Sequence, residues 1–234
     1  MSNVTRNTAP QDSPTTVHFG VLVSGNGTNL QALLDAEAAG LLSPAKIGLV
    51  ISDRNGAYAL ERARRAGKPA LLIEGNRDLD IETRRLDLSN RILETAAAAS
   101  LEFLVLAGFL SILRGPLLER YQNRIINIHP SLLPKFGGPG MYGERVHQAV
   151  LAAGEIESGC TVHLVDQGTD TGPILLQRRV PVLPQDSPAS LAERIHREEH
   201  IAIVDGVREL LAHLGYASKE CLSGYDITKE QETR

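Results

Sequence analysis

His18-Phe-Gly-Val-Leu-Val-Ser24 runs directly into Gly25-Asn-Gly-Thr-Asn-Leu30, and this junction decides the fold class. The first segment is apolar almost throughout, as a strand buried on both faces must be. The glycines that follow make a turn, and Asn29 to Ala39 reads as a helix. Moving outward, Lys46 to Ser52 is a second strand and Tyr58 to Ala66 a helix closed by Gly67. Ala70 to Ile73 is a short third strand, Ile81 to Ala99 a longer helix and Phe103 to Leu106 a fourth strand. Arg124 to Ile128 is a fifth strand, stopped by Pro130. Strands alternating with helices predict an α/β protein with a mostly parallel sheet and helices on both faces.

The rest of the chain breaks this rhythm. Glu144 to Ala153 reads as a helix, and Cys160 to Val165 and Ile174 to Val182 as strands. The loop between those strands is too short for a helical crossover, so the pair is expected to be antiparallel. Asp186-Ser187-Pro188 opens the last helix, with Ser187 as N-cap and Pro188 at its first position. That helix runs to about Leu214 and ends at Gly215. The expected organisation is a mobile polar tail over 1–16, one continuous domain over 17–215 and a polar tail over 216–234.

Composition narrows the function classes. The 234 residues hold 24 basic and 28 acidic side chains, a net charge of −4, with a pI near 6.0. This speaks against a dedicated nucleic-acid binder. Cys160 and Cys221 are too few for a disulfide framework, which points to the cytoplasm. Met1 to Thr16 lacks an apolar core and is not read as a signal peptide. Ala96 to Leu113 is long and apolar, but it carries Ser100, Glu102, Gly108 and Ser111. It reads as a helix end running into a buried strand, with no membrane partner expected.

Four constellations could carry chemistry. In Ser24 to Leu30 the glycines allow close approach of a ligand, and the helix start offers free N–H groups to an anion. The loop half-matches a dinucleotide fingerprint on Gly25 and Gly27, with Asp53 placed for a ribose, but Leu30 stands at the third glycine position. One phosphate fits better than two, and the plain alternative is a tight turn with Asn29 as N-cap. In Asn127-Ile-His129-Pro, the two polar side chains leave one face of a strand at its carboxyl end, where open sheets bind ligands. An amide and an imidazole there can hold an oxyanion and move a proton, or they can simply cap the strand end. Asp166-Gln-Gly-Thr-Asp170-Thr-Gly-Pro173 is a turn whose acids serve a site only if it lies beside His129. His196-Arg-Glu-Glu199-His200 spells an inverted zinc-peptidase string, but it supplies too few ligands on its own, and a polar stripe on an amphipathic helix explains it better.

Together, Ser-Gly-Asn-Gly-Thr-Asn-Leu, Ala107-Gly108-Phe109, Asn-Ile-His-Pro-Ser-Leu-Leu-Pro and Asp-Thr-Gly-Pro, in this order, resemble phosphoribosylglycinamide formyltransferase over roughly Val17 to Leu214. The resemblance implies a Rossmann-like parallel half extended by antiparallel strands. It implies Asn127, His129 and Asp170 as catalytic residues, and Gly27, Thr28 and Asn29 around a substrate phosphate. Glu199 would contact the sugar or glycinamide part of that substrate. A folate would lie against Phe109, Leu110, Leu113 and the loop of Asp166, Gln167, Gly168, Thr169 and Asp170. The implied reaction is transfer of the formyl group of 10-formyltetrahydrofolate to the amine of glycinamide ribonucleotide, through a tetrahedral intermediate. Asn127 and a protonated His129 would hold its oxygen, and Asp170 would favour the imidazolium. The implied partners are small molecules acting on a monomer or homodimer, with 10-formyltetrahydrofolate as co-substrate and no metal. Relatives often carry Arg where Ser111 stands, a shorter stretch than Phe136 to Gly143, and an Arg for which Thr83, Arg84 and Arg85 compete. The competing readings are an NAD(P)-dependent oxidoreductase built on Gly25 and Gly27, and a zinc peptidase built on His196, Glu199 and His200.

Overall fold

The computed structural model describes residues 16–216, so the expected tails fall almost wholly outside the described residues. The elements are β1 (Val17–Val23), α1 (Thr28–Ala38), β2 (Ala45–Ser52), α2 (Tyr58–Arg65), β3 (Ala70–Leu72), α3 (Ile81–Ala98) and β4 (Phe103–Leu106). Then follow α4 (Pro116–Arg120), β5 (Ile125–His129), α5 (Glu144–Ala152), β6 (Glu157–Leu164), β7 (Ile174–Pro181) and α6 (Pro188–His213). One seven-stranded sheet runs in the order β3-β2-β1-β4-β5-β6-β7. Strands β1 to β5 pair in parallel, and β6 and β7 are added antiparallel.

The two faces of the sheet follow from the period of two along each strand. Phe19, Val21 and Val23 face a core built with α1, α2 and α6, while Leu22 faces a second core built with α3 and α4. Phe19 and Phe103, paired in register, stack at 4.8 Å between ring centroids. Such a pair adds about 1 kcal/mol beyond its burial. Helix α6 lies against β5, β6, β7, α1 and α5, so it seals the parallel half to the extension.

Several expected boundaries move. Helix α1 begins at Thr28 and its N-cap is Gly27, at φ 77° with no side-chain cap, so Asn29 does not cap the helix. Strand β5 includes His129, and β6 starts at Glu157 rather than Cys160, because Glu157, Ser158 and Gly159 complete the ladder with β7. The five-residue helix α4 is missed by a periodicity reading, being little more than one turn. Ser187 caps α6 as expected, in a capping box with Ser190.

The strand order reverses between β1 and β4, because the chain moves one way from β1 to β3 and then returns to the other side of β1. At such a switch point the loops beyond the strand ends diverge and leave a crevice. The loops after β1 and β4 stand there.

Candidate active site

The crevice is a cleft of about 650 Å³, within the range of small-molecule sites. Its first wall is the loop from Gly25 to Asn29. A Cβ on Gly27 would lie 2.6 Å from the Cβ of Ala59, and the residue sits in the left-handed region. Glycine is therefore required twice over, by conformation and by the approach of α2. Arg62 holds the outside of the loop, donating from Nε to the Asn26 carbonyl at 2.8 Å and from Nη2 to Asn26 Oδ1 at 3.0 Å. The first turn of α1 has neither an acidic residue nor a side-chain cap, so its N–H groups and dipole are open to an anion.

The opposite wall is built at the β5–β6 junction. The antiparallel register pairs Asn127 with His163 and His129 with Thr161. His163 donates from Nδ1 to the carbonyl of its neighbour Leu164 at 2.8 Å, which leaves Nε2 as an acceptor for the Asn127 amide at 3.1 Å. This bond fixes which end of the Asn127 amide is nitrogen and leaves its second N–H for a ligand. His129 donates from Nε2 to the carbonyl of Phe136 at 2.8 Å and turns Nδ1 to Asp170 Oδ2 at 3.5 Å. Asp170 Oδ1 lies 3.7 Å from His163 Nε2, and Oδ2 accepts from the Gly138 N–H at 3.0 Å. Asp170 and Phe136 both stand at left-handed φ, 58° and 56°. Aspartate tolerates that conformation and phenylalanine does so at a cost, which the bond from His129 helps to meet.

Burial sets the charge states. It holds His129 below the ordinary histidine value, although Asp170 and the Phe136 carbonyl pull the other way. This runs against the expectation of an imidazolium near neutral pH: desolvation outweighs the carboxylate and favours the neutral ring. Burial would push Asp170 up, but the His163 and His129 rings and the Gly138 N–H outweigh it and hold the carboxyl below its usual range. His147, buried on α5 in the cleft wall, is pushed down to about 4, mainly by desolvation.

Glu199 on α6 stands beside Asn29 at the start of α1. It is 4% exposed, and burial raises it to about 7, with a hydrogen bond from Asn29 as the smaller, opposing cause. His196 Nε2 lies 3.6 Å away. Asn29 Oδ1 and His147 Nδ1 are buried and make no hydrogen bond among the described residues. Both residues line the cleft, where a ligand can reach them.

Gly27, Thr28, Asn29, Phe109, Leu110, Leu113, Asn127, His129, Asp166, Gly168, Thr169, Asp170 and Glu199 all line this one cleft. Gln167 does not; it is exposed on the outside of its turn. Of the three residues competing for one arginine position, Arg85 lines the cleft, whereas Arg84 is spent on the carbonyls of Asn76, Arg77 and Leu79. Sequence reasoning passed over His163 and His147. The only signal for His163 was its two-residue spacing from Thr161 in the stretch Cys160 to Leu164, which has no meaning until the register with β5 is known.

The competing readings find no support in this arrangement. Asp53 is buried with both carboxylate oxygens engaged by Ser24 and Ser111, so it is not free for a ribose. His196 and Glu199 face the cleft while His200 does not, so the three side chains of the zinc string do not converge. Among the described residues no three His, Cys, Asp or Glu side chains are placed to hold a metal ion. Nor is any described helix long and apolar enough to cross a membrane.

A family model described as formyl transferase matches residues 17–207. Phosphoribosylglycinamide formyltransferase of Haemophilus influenzae is 39% identical over 183 residues, covering 78% of this chain and 81% of that protein. The solved structure of glycinamide ribonucleotide transformylase 1 from Symbiobacterium toebii superposes with a TM-score of 0.75 at 43% identity, covering 82% of this chain and 86% of that one. The trifunctional purine biosynthetic protein adenosine-3 of Drosophila pseudoobscura is 49% identical over 185 residues, 78% of this chain but 13% of that protein. The chain thus spans about 13–14% of the length of its Drosophila relatives. The chain belongs to the formyl transferase family, in its phosphoribosylglycinamide formyltransferase branch.

Proposed function

We propose that the chain transfers the formyl group of 10-formyltetrahydrofolate to the primary amine of glycinamide ribonucleotide, in de novo purine biosynthesis in the cytoplasm. The observation that carries this reading is the meeting, in one cleft, of the open α1 N-terminus with Asn127, His129 and Asp170. A phosphorylated substrate anchored at Gly27, Thr28 and Asn29 directs its other end along the cleft toward Asn127. Glu199 and Asn29 Oδ1, which lacks a hydrogen-bond partner among the described residues, line the same cleft and are the groups we assign to the sugar or glycinamide part.

The folate side fits as well. Phe109, Leu110 and Leu113 supply an apolar surface, and the loop from Asp166 to Asp170 supplies backbone polar groups. Asp166 Oδ1 accepts from the Gly168 N–H at 2.9 Å and from Thr171 Oγ1 at 2.7 Å, which stiffens that loop.

The residues then divide the work. The amine lone pair forms the new C–N bond, and the bond from the formyl carbon to the donor nitrogen breaks. Asn127 donates its second N–H to the formyl oxygen as it gains negative charge. His129, neutral at rest, takes the amine proton and returns it to the departing nitrogen. Asp170, 3.5 Å from Nδ1, stabilises the imidazolium during that interval. Arg85, which lines the cleft and pairs with Glu82, is the cation we assign to a carboxylate of the donor. An absorbance assay with 10-formyl-dideazafolate tests the reading. Deformylation is expected only when glycinamide ribonucleotide is present, and amine-independent deformylation at a similar rate would make the protein a hydrolase.

A further inference from the structure

Asp53 directly follows β2, is 6% exposed, and takes no part in the chemistry above. Its two oxygens accept hydroxyl protons from two different loops. Oδ1 accepts from Ser24 Oγ at 2.6 Å, at the root of the phosphate loop. Oδ2 accepts from Ser111 Oγ at 2.5 Å, in the folate-side loop after β4. Ser24, its proton given to Asp53, still accepts the Leu110 N–H at 2.8 Å, and the Ser24 N–H donates to the Gly108 carbonyl at 3.1 Å. The Arg54 Nε lies 3.6 Å from Oδ2 on an exposed side chain.

The ends of β1 and β4 are already joined here by the Ala107 N–H, which donates to the Leu22 carbonyl at 2.9 Å. The carboxylate adds a link one step further out, between the loops themselves. An ionised carboxylate only accepts, so both serines must donate to it, and such charge-assisted bonds are short and strong. A carboxamide of the same shape could accept from only one of them.

We propose that Asp53 is a positioning residue that couples the two substrate sites: through Ser24 and Ser111 it ties the folate-side loop to the phosphate loop, so that each bound substrate tightens the binding of the other. This rests on the proposed formyl transfer for the identity of the two ligands. Ordering of the phosphate loop by the ribonucleotide is passed through Ser24 and Asp53 to Leu110 and Ser111, so the folate meets a loop already in place. Coupling of this kind is reciprocal.

The test measures the Kd of deformylated dideazafolate, which cannot react, with and without saturating glycinamide ribonucleotide. For the unaltered protein we expect the ribonucleotide to tighten folate binding about 10-fold, and the folate to tighten ribonucleotide binding by the same factor. Ser111→Ala and Asp53→Asn should each bring the ratio down to about 1–2, while Ser111→Thr, which keeps the hydroxyl, should restore it. Melting curves identify any variant that fails to fold, and the remaining variants then decide. A ratio near 1 in the unaltered protein, or an unchanged ratio in a folded Ser111→Ala or Asp53→Asn, overturns the coupling. If the unaltered protein transfers no formyl group, the functional reading fails instead, so the two failures are distinguishable.

Discussion

At the β1 end of the cleft, Gly27, Thr28 and Asn29 offer the backbone of a helix start; at the β5–β6 end, Asn127, His129, His163 and Asp170 offer side chains. The first region depends on a local turn that one stretch of sequence encodes completely. The second depends on residues from 127 to 170 meeting across a sheet. A helix N-terminus carries a fixed dipole that does not titrate, whereas the side-chain cluster is governed by burial and by neighbouring charge. Binding without titration at one end and proton transfer at the other is the division of labour this difference predicts, and substitutions can separate the two.

The largest effect is expected at Asp170. Asp170→Asn keeps the size and removes the charge that supports the His129 imidazolium, so kcat should fall about 10²-fold or more with KM little changed. Adding His129→Ala should cost little more than the worse single variant, because groups acting as a unit are not additive. An NMR titration should find the His129 pKa lower still in Asp170→Asn; an unshifted value with multiplicative kinetic losses would leave Asp170 as an ordinary turn acid. Next comes His163→Ala, which frees the Asn127 amide. A kcat loss of about 10-fold is expected in steady-state kinetics, with partial recovery in His163→Gln, whose side-chain oxygen can accept from Asn127.

At the other end, Thr28→Asp places a carboxylate on the N–H groups proposed for the phosphate. The KM for glycinamide ribonucleotide should rise about 10-fold, with kcat and folate KM nearly unchanged. An acid in the first turn favours the helix, so thermal melting should find no loss of stability. Unchanged ribonucleotide affinity would move the phosphate elsewhere.

The smallest effect joins the two regions through pH. Glu199 is raised to about 7 in the folded protein, so the folded state keeps a proton that the unfolded chain releases near 4.5. Its burial costs stability as pH rises from about 4.5 through 7. Glu199→Gln removes that cost. After allowance for relaxation around the ionised acid, we expect a gain of about 1 kcal/mol at pH 8, or about 2–4 °C in Tm, and none at pH 4. His147 has the opposite sign. Its folded value of about 4 lies below that of the unfolded chain, so it weakens the fold as pH falls from 6.5 toward 4.

The same contrast explains what the sequence made legible. Strand β1, the glycine turn and α1 are consecutive, and their pattern of two, break and 3.6 is readable without a partner. Asn127 and His129 were visible because they share one strand face and precede Pro130. That Asp170 stands beside His129 was not, since loop placement depends on how β6 and β7 return across the sheet. His163 looked like any histidine among apolar neighbours, and His147 like any polar residue of an amphipathic helix. The sign of the His129 shift was also hidden, because a nearby carboxylate can be guessed from sequence but burial cannot. Asp53 was noticed for a ribose; its engagement by Ser24 and Ser111 appears only when residues 24, 53 and 111 are seen at adjacent strand ends.

The β5–β6 pairing has a consequence for how this chain can change over generations. Ile126 to His129 face Leu164 to Thr161 as four successive pairs. Slipping the ladder by one residue would turn His163 to the far face of the sheet and leave the Asn127 amide without its acceptor. Of the 27 residues from Pro130 to Ile156 between these strands, Phe136 and Gly138 are bonded to His129 and Asp170, but the exposed turn over 153–156 is under no such restriction on number. Insertions and deletions in that turn renumber β6 without altering which residues meet, so the excursion can be lengthened or trimmed there. A single added residue inside either strand would disarm the centre while leaving the fold recognisable.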